Sequence, residues 1–92
     1  MLARDQVALL MRASEVVRHG GRLIYATCSS EPEENDGVVD ALLGARDDFA
    51  RLDLRNEGRP LLAPFMDERG QFRTSPANHR LEAFFAAVLI RA

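Results

Sequence analysis

Gly20-Gly21-Arg22-Leu23-Ile24-Tyr25-Ala26-Thr27-Cys28-Ser29-Ser30-Glu31-Pro32-Glu33-Glu34-Asn35 is the stretch that decides the fold. The paired glycines read as a stop for the segment before them, since glycine readily takes the left-handed backbone that ends a helix. Leu23 to Cys28 follows as a short, continuous apolar run without alternation. Such a run, directly after a glycine turn, reads as a strand buried on both faces of a parallel sheet. Ser30 and Glu33 then stand at capping-box spacing, Pro32 suits a first helical turn, and acids there favour the positive end of a helix dipole. Val38, Val39, Leu42 and Leu43 supply the buried stripe of the helix so started, and Gly44 is expected to end it.

On the amino-terminal side, Val7, Leu10, Met11, Ser14 and Val17 fall on one face of a helix expected to run up to the glycine pair, with His19 at its end. On the other side, Phe49 to Leu54 alternates and reads as a half-buried strand. Residues 55–82 are rich in glycine and proline, with Phe72 to Thr74 as a short candidate strand. Ala83 to Ile90 is the most apolar run and reads as a central strand, a buried helix of that length being the alternative that periodicity leaves open. Tyr25 is expected in the core. Strand and helix alternate, which argues α/β. The set begins with a helix and offers only three or four strands, so residues 1–92 read as one partial domain, the second half of an open twisted sheet.

Composition narrows the function classes. The 92 residues carry 12 basic side chains, all arginine, against 14 acids, for a net charge of −2. Hydrophobic residues at 47% and charged residues at 28% are ordinary for a globular domain, which excludes a disordered or polybasic tail. One cysteine cannot form an internal disulfide, and one cysteine with two histidines falls short of a structural zinc site. The near-neutral balance does not suggest a free-standing nucleic-acid binder. The longest apolar run has eight residues, against about 20 needed for a membrane helix, and no stretch resembles a signal peptide; a cytoplasmic protein is expected. Charge is unevenly spread: seven acids and one arginine lie between Glu31 and Asp48, read as a solvated helix face, while residues 49–80 hold six arginines and four acids.

Cys28 is the first candidate for chemistry. It stands at the carboxyl end of a predicted strand and just ahead of a helix, the edge where open α/β sheets bind ligands and where a thiolate is favoured. A buried, inert cysteine acting as a small hydrophobe is the alternative at this point.

The motif around it, a Gly-Gly turn, an apolar strand, Thr27-Cys28-Ser29 and then Pro32-Glu33-Glu34-Asn35, resembles the catalytic-cysteine motif of the RNA 5-methylcytosine methyltransferases of the Sun/Fmu family. Thr74-Ser75-Pro76 followed by Phe84-Phe85-Ala86-Ala87 resembles the end of those enzymes, with Ala77, Arg80 and Ala83 departing from the family's usual histidine and glycines. The resemblance covers nearly all of the chain and is least specific over residues 49–73. It implies the carboxyl-terminal half of a Rossmann-like S-adenosylmethionine-dependent methyltransferase sheet, mixed, with the last strand antiparallel beside the strand of Cys28. It implies Cys28 as the nucleophile that adds to carbon 6 of cytosine, so that carbon 5 attacks the sulfonium methyl. Thr27 and Ser29 are then candidate orienters, with strand packing and helix capping as their plain alternative.

Arg55, Arg59, Arg69, Arg73, His79 and Arg80 are candidate RNA contacts, RNA and in particular rRNA being the implied partner, with ordinary loop solubility as their plain alternative. Glu34 and Asn35 are substrate contacts by analogy or simply helix-start residues. The family's second cysteine, in a Pro-Cys motif, is absent, and Gly20-Gly21 lies between helix and strand, the wrong order for a cofactor loop. S-adenosylmethionine is therefore expected to belong to an upstream half, with none bound by these residues and no activity from them alone. Self-association through an exposed sheet edge is expected. The competing readings are a non-enzymatic RNA- or protein-binding module, and, more weakly, a cysteine hydrolase using His19 or His79.

Overall fold

The computed structural model describes residues 3–79 and 82–92. In chain order the elements are α1 (Ala3–Ser14), β1 (Arg22–Thr27), α2 (Asp36–Ala45), β2 (Phe49–Arg51), β3 (Phe72–Thr74), the short α3 (Pro76–His79) and β4 (Phe84–Arg91). Three 3-10 segments, Pro32–Glu34, Leu54–Asn56 and Pro60–Phe65, fill the connections.

β4 organises the sheet. Along one side it pairs antiparallel with all of β1, from Arg22 opposite Ile90 to Thr27 opposite Phe85. Along the other it pairs antiparallel with β2 at Arg51 opposite Leu89 and with β3 at Arg73 opposite Phe85, so these two short strands lie end to end. The last apolar run is thus the central strand beside the Cys28 strand, as expected. The fold is mixed α/β with the last strand antiparallel.

Helices α1 and α2 pack together on one face of this sheet. Leu10 meets Val38, Val39 and Leu42 there, over Phe49, Phe85, Ala87 and Leu89. Full burial of one such side chain contributes about 1.5–3 kcal/mol. The expectation that β1 is buried on both faces is not met. Leu23, Tyr25 and Thr27 are half-buried on the helix side, whereas Ile24 on the other side is 66% exposed. Both helices cover the same face, so nothing in the described residues screens Ile24.

Three local boundaries differ from the sequence reading. α1 ends at Ser14, whose buried hydroxyl donates to Met11 O at 2.6 Å, well short of the glycines. The glycine turn instead belongs to the sheet. Gly20, at φ 79°, donates its N–H to Arg91 O at 2.8 Å, and Arg91 N donates to Gly21 O at 2.9 Å. His19 likewise does not cap α1; its Nδ1 lies 3.0 Å from Ala92 O. β2 stops at Arg51, although Leu52 N still reaches Val88 O at 2.8 Å. Asp53 then accepts from Arg55 N at 3.0 Å and starts a 3-10 turn, a local bond that competes with the ladder. α2 runs one residue past Gly44.

The acidic α2 face is more than a solvated one. Asp36 accepts from Arg73 Nη2 at 2.7 Å, and Asp40 from Arg69 Nη1 at 3.2 Å and from Arg51. The acidic helix and the basic loop after it are complementary halves of one contact.

Candidate active site

Cys28 is exposed, one residue beyond the end of β1. That accessibility was expected of a nucleophile and not of a core hydrophobe. The eight residues that follow turn back over the end of the sheet, and four hydrogen bonds fix their path. Tyr25 Oη donates to Glu34 O at 2.6 Å. Thr27 Oγ1 donates to Asn35 Oδ1 at 2.5 Å and accepts from Ser29 N at 3.2 Å. Asn35 Nδ2 donates to Ser29 O at 2.9 Å. Burial raises the Tyr25 phenol above its ordinary range, and the nearby Glu34 charge adds to this, so the group stays protonated as a donor.

The candidate orienters Thr27 and Ser29 therefore sit in one network, and the residue that joins them is Asn35. Its side chain is 1% exposed. The reading of Asn35 as a helix-start residue missed this role. The signal was present: Asn35 stands four and seven residues before Val39 and Leu42, on the buried stripe of α2, where a polar side chain needs a partner. The capping box does not form. Ser30 is exposed, and Ser29 Oγ instead accepts from Glu31 N at 3.0 Å ahead of the Pro32–Glu34 turn.

Beside this loop, across Phe85, lies a polar cluster. The Arg73 guanidinium carbon is 4.9 Å from the centre of the Phe85 ring, and its nitrogens reach Asp36 and Asp67. Buried Gln71 joins the cluster by donating to Asp36 Oδ1 at 2.8 Å and Asp67 Oδ2 at 3.0 Å while accepting from Arg51 Nε at 2.9 Å. Burial works to raise the Asp67 carboxyl, but bonds from Gln71 and Arg69 and the Arg73 charge outweigh it, and the group stays below its usual range. A depression of about 640 Å³ opens next to these side chains, with Phe65 and Met66 on its wall.

The candidate RNA contacts divide accordingly. Arg73 and Arg69 are committed to the acids of α2, and Arg55 is paired with Asp53 at 2.7 Å. Arg59 is exposed. Arg80 and the side chain of His79 lie outside the described residues. His19 is at the opposite end of β1 from Cys28, so the described residues do not join it to the thiol. Among the described residues no group of histidines, cysteines and acids is placed to hold a metal, and no helix is long and apolar enough to cross a membrane.

Among the described residues, the glycine turn does not fit an S-adenosylmethionine site. The glycine turn that such a cofactor would need follows a helix, lies at the far end of β1 from Cys28, and has its backbone groups bonded to Arg91.

Known proteins resemble this chain over most of its length. The probable ribosomal RNA small subunit methyltransferase B of Bacillus subtilis is 31% identical over 85 residues, 91% of this chain and 19% of that protein. The tRNA (cytosine(49)-C(5))-methyltransferase of Pyrococcus abyssi is 34% identical over 96 residues, 92% of this chain and 30% of that protein. The crystal structure of NSun6 from Pyrococcus horikoshii with SFG superposes with a TM-score of 0.75 at 29% identity, over 97% of this chain and 22% of that one. The chain thus spans about a fifth to a third of the relatives it matches. The family model of the 16S rRNA methyltransferases RsmB/F matches residues 1–90, and the chain belongs to that family.

Proposed function

We propose that this chain is the nucleophile-bearing part of an S-adenosylmethionine-dependent RNA cytosine-5 methyltransferase acting on rRNA in the cytoplasm, and that Cys28 is the nucleophile. The observation that carries the reading is the exposed Cys28 at the carboxyl end of β1, in a loop held on both sides by hydrogen bonds to the buried Asn35 side chain. The cytosine ring is a poor carbon nucleophile. Addition of the Cys28 thiolate to carbon 6 forms a carbon–sulfur bond and moves the electron pair of the ring double bond toward carbon 5, which becomes nucleophilic as an enamine carbon is. A bound sulfonium donor would supply the methyl group to that carbon and leave as the neutral thioether. Loss of the carbon-5 proton to a base restores the double bond and expels the thiolate. The ring must leave its stack to present carbon 6, or come from a single strand.

The methyl donor is held by residues outside this chain, supported by the absence of a fitting glycine turn and by the share of the relatives spanned. The 92 residues alone neither bind the donor nor methylate RNA. A simple RNA-binding module is the less favoured reading, because Arg55, Arg69 and Arg73 are paired internally.

The test is adduct trapping in an enzyme that carries this segment on its upstream half. With RNA containing 5-fluorocytosine the carbon-5 proton is replaced, so elimination stalls and a covalent complex accumulates. Cys28→Ser is expected to abolish it and turnover while leaving donor binding intact. A complex that survives the substitution places the nucleophile elsewhere.

A further inference from the structure

Asparagine at the start of a helix ordinarily accepts a hydrogen bond from the helix's own first-turn N–H groups. Asn35 stands at that position of α2, yet its side chain makes no cap bond. It points away from the helix it precedes and toward the loop of Cys28, where both ends of its amide are used. Oδ1 accepts from Thr27 Oγ1, and Nδ2 donates to Ser29 O. These are the residues immediately before and after Cys28.

We propose that Asn35 is a positioning residue for the nucleophile, acting through Thr27 and Ser29 on the direction of the Cys28 Cα–Cβ bond. The inference rests on Cys28 being the nucleophile. Three features of the geometry carry it. The Asn35 amide is buried at 1% exposure, so breaking its bonds to the half-buried Thr27 and Ser29 would leave an unsatisfied buried group. Ser29 N also donates to Thr27 Oγ1, so the hydroxyl, the amide and the loop backbone form a closed circuit around the cysteine. Cys28 itself is exposed, so packing does not orient it, and the two flanking anchors must. Only an amide serves. The site needs one acceptor and one donor at fixed separation; an aspartate in the same place would turn a carboxylate oxygen toward the Ser29 carbonyl. Attack on a ring carbon demands a near-attack geometry, and misplacement by about 1 Å costs on the order of a hundredfold in rate.

Two measurements test this. In the 92-residue chain, 15N relaxation gives backbone order parameters for Cys28 and Ser29. Asn35→Ala and Thr27→Val are expected to lower both from the rigid level of about 0.85 to below about 0.6, with β4 unchanged, while Thr27→Ser keeps them. In the trapping reaction described above, Asn35→Ala and Thr27→Val are expected to slow adduct formation at saturating RNA by about a hundredfold, with the half-saturating RNA concentration within about twofold, and Thr27→Ser restores the rate. Should Asn35→Ala not fold, the Thr27 pair decides. Unchanged order parameters, or an unchanged adduct rate in Thr27→Val, overturn the role of Asn35. Absence of any adduct on the wild-type enzyme overturns the nucleophile, and with it this inference.

Discussion

Arg91 Nε donates to Asp48 Oδ2 at 2.9 Å, tying the end of β4 to the turn that leads into β2. Arg46 adds a fork on the same carboxylate, at 2.7 Å and 3.0 Å, and its guanidinium carbon lies 5.1 Å from the centre of the Phe49 ring. The Arg46 bonds first, and the Arg91 bond with them, hold the Asp48 carboxyl down to about 2. An unfolded aspartate titrates near 3.9. A lowered folded value means that the stabilisation is complete above about pH 4 and is lost as pH falls toward 2. Asp48→Asn is expected to lower the thermal midpoint at pH 7, with the gap to wild type closing between pH 4 and pH 2. Parallel melting curves across that range, with a constant gap, would refute the assignment.

The sheet has one covered face, and substitutions should report it. Phe85 is fully buried under α1 and α2, and Phe85→Ala is expected to cost about 3–5 kcal/mol in urea unfolding. Ile24 lies on the open face at 66% exposure, and Ile24→Ala should fall within about 0.5 kcal/mol of wild type in the monomer. Equal losses at the two positions would mean that the open face is covered.

The strands and helices that carry Cys28 were legible because their signals are local. The apolar run Leu23–Cys28, the stripe Val38–Leu42 and the run ending at Ile90 each announce themselves within a few residues. Which faces they bury was not legible, since Ile24 reads as apolar whether or not anything covers it. The path of residues 54–71 was also hidden. It depends on pairs such as Asp36 with Arg73, 37 residues apart, and on Gln71 satisfying three charged partners at once. At the site, Cys28 and its neighbours could be named from the motif. The bonds of Asn35 to Thr27 and Ser29 could not, because a helix-start asparagine has an ordinary local use, and only the folded chain shows that use refused.

Gly70 sits at φ 76°, and a Cβ placed on it would stand 2.1 Å from Asp53 Oδ1. Asp53 in turn holds Arg55 and the start of the Leu54–Asn56 turn. Gly70→Ala is therefore expected to lose about 1–2 kcal/mol from the left-handed backbone alone, and more from displacing Asp53. In an Asp53→Ala background the carboxylate share of the second part is removed, while the approach to the Asp53 Cα at 2.8 Å remains. A double-mutant cycle measures the coupling, and strict additivity would show that the close approach carries no energy.

Arg59 and Arg73 should separate RNA contact from structure. Arg73→Ala removes the pairs to Asp36 at 2.7 Å and to Asp67 at 3.3 Å, leaving Asp36 the longer pair with Arg69 at 3.7 Å, and is expected to lower stability by about 1–2 kcal/mol. Arg59→Ala should leave the melting midpoint unchanged. In the enzyme bearing this segment, it should weaken RNA binding and reduce the salt slope by about 0.7, the loss of one phosphate contact. An unchanged slope would remove Arg59 from the interface.

β1 pairs only with β4 among the described residues, so its outer edge offers free backbone groups beside the apolar side chains of Ile24 and Leu9. An unpaired edge of this kind, without lysine, is a template for another strand. The 92-residue chain is expected to self-associate through it as concentration rises, seen as a growing sedimentation coefficient. Ile24→Lys should return it to a monomer, because a charge on the edge opposes strand addition while the β1–β4 ladder and the helix-covered core are untouched. The same substitution should leave the thermal midpoint of the dilute chain close to wild type, which separates edge pairing from loss of fold. A wild-type chain that sediments as a clean monomer at high concentration would show that the edge is protected in some other way.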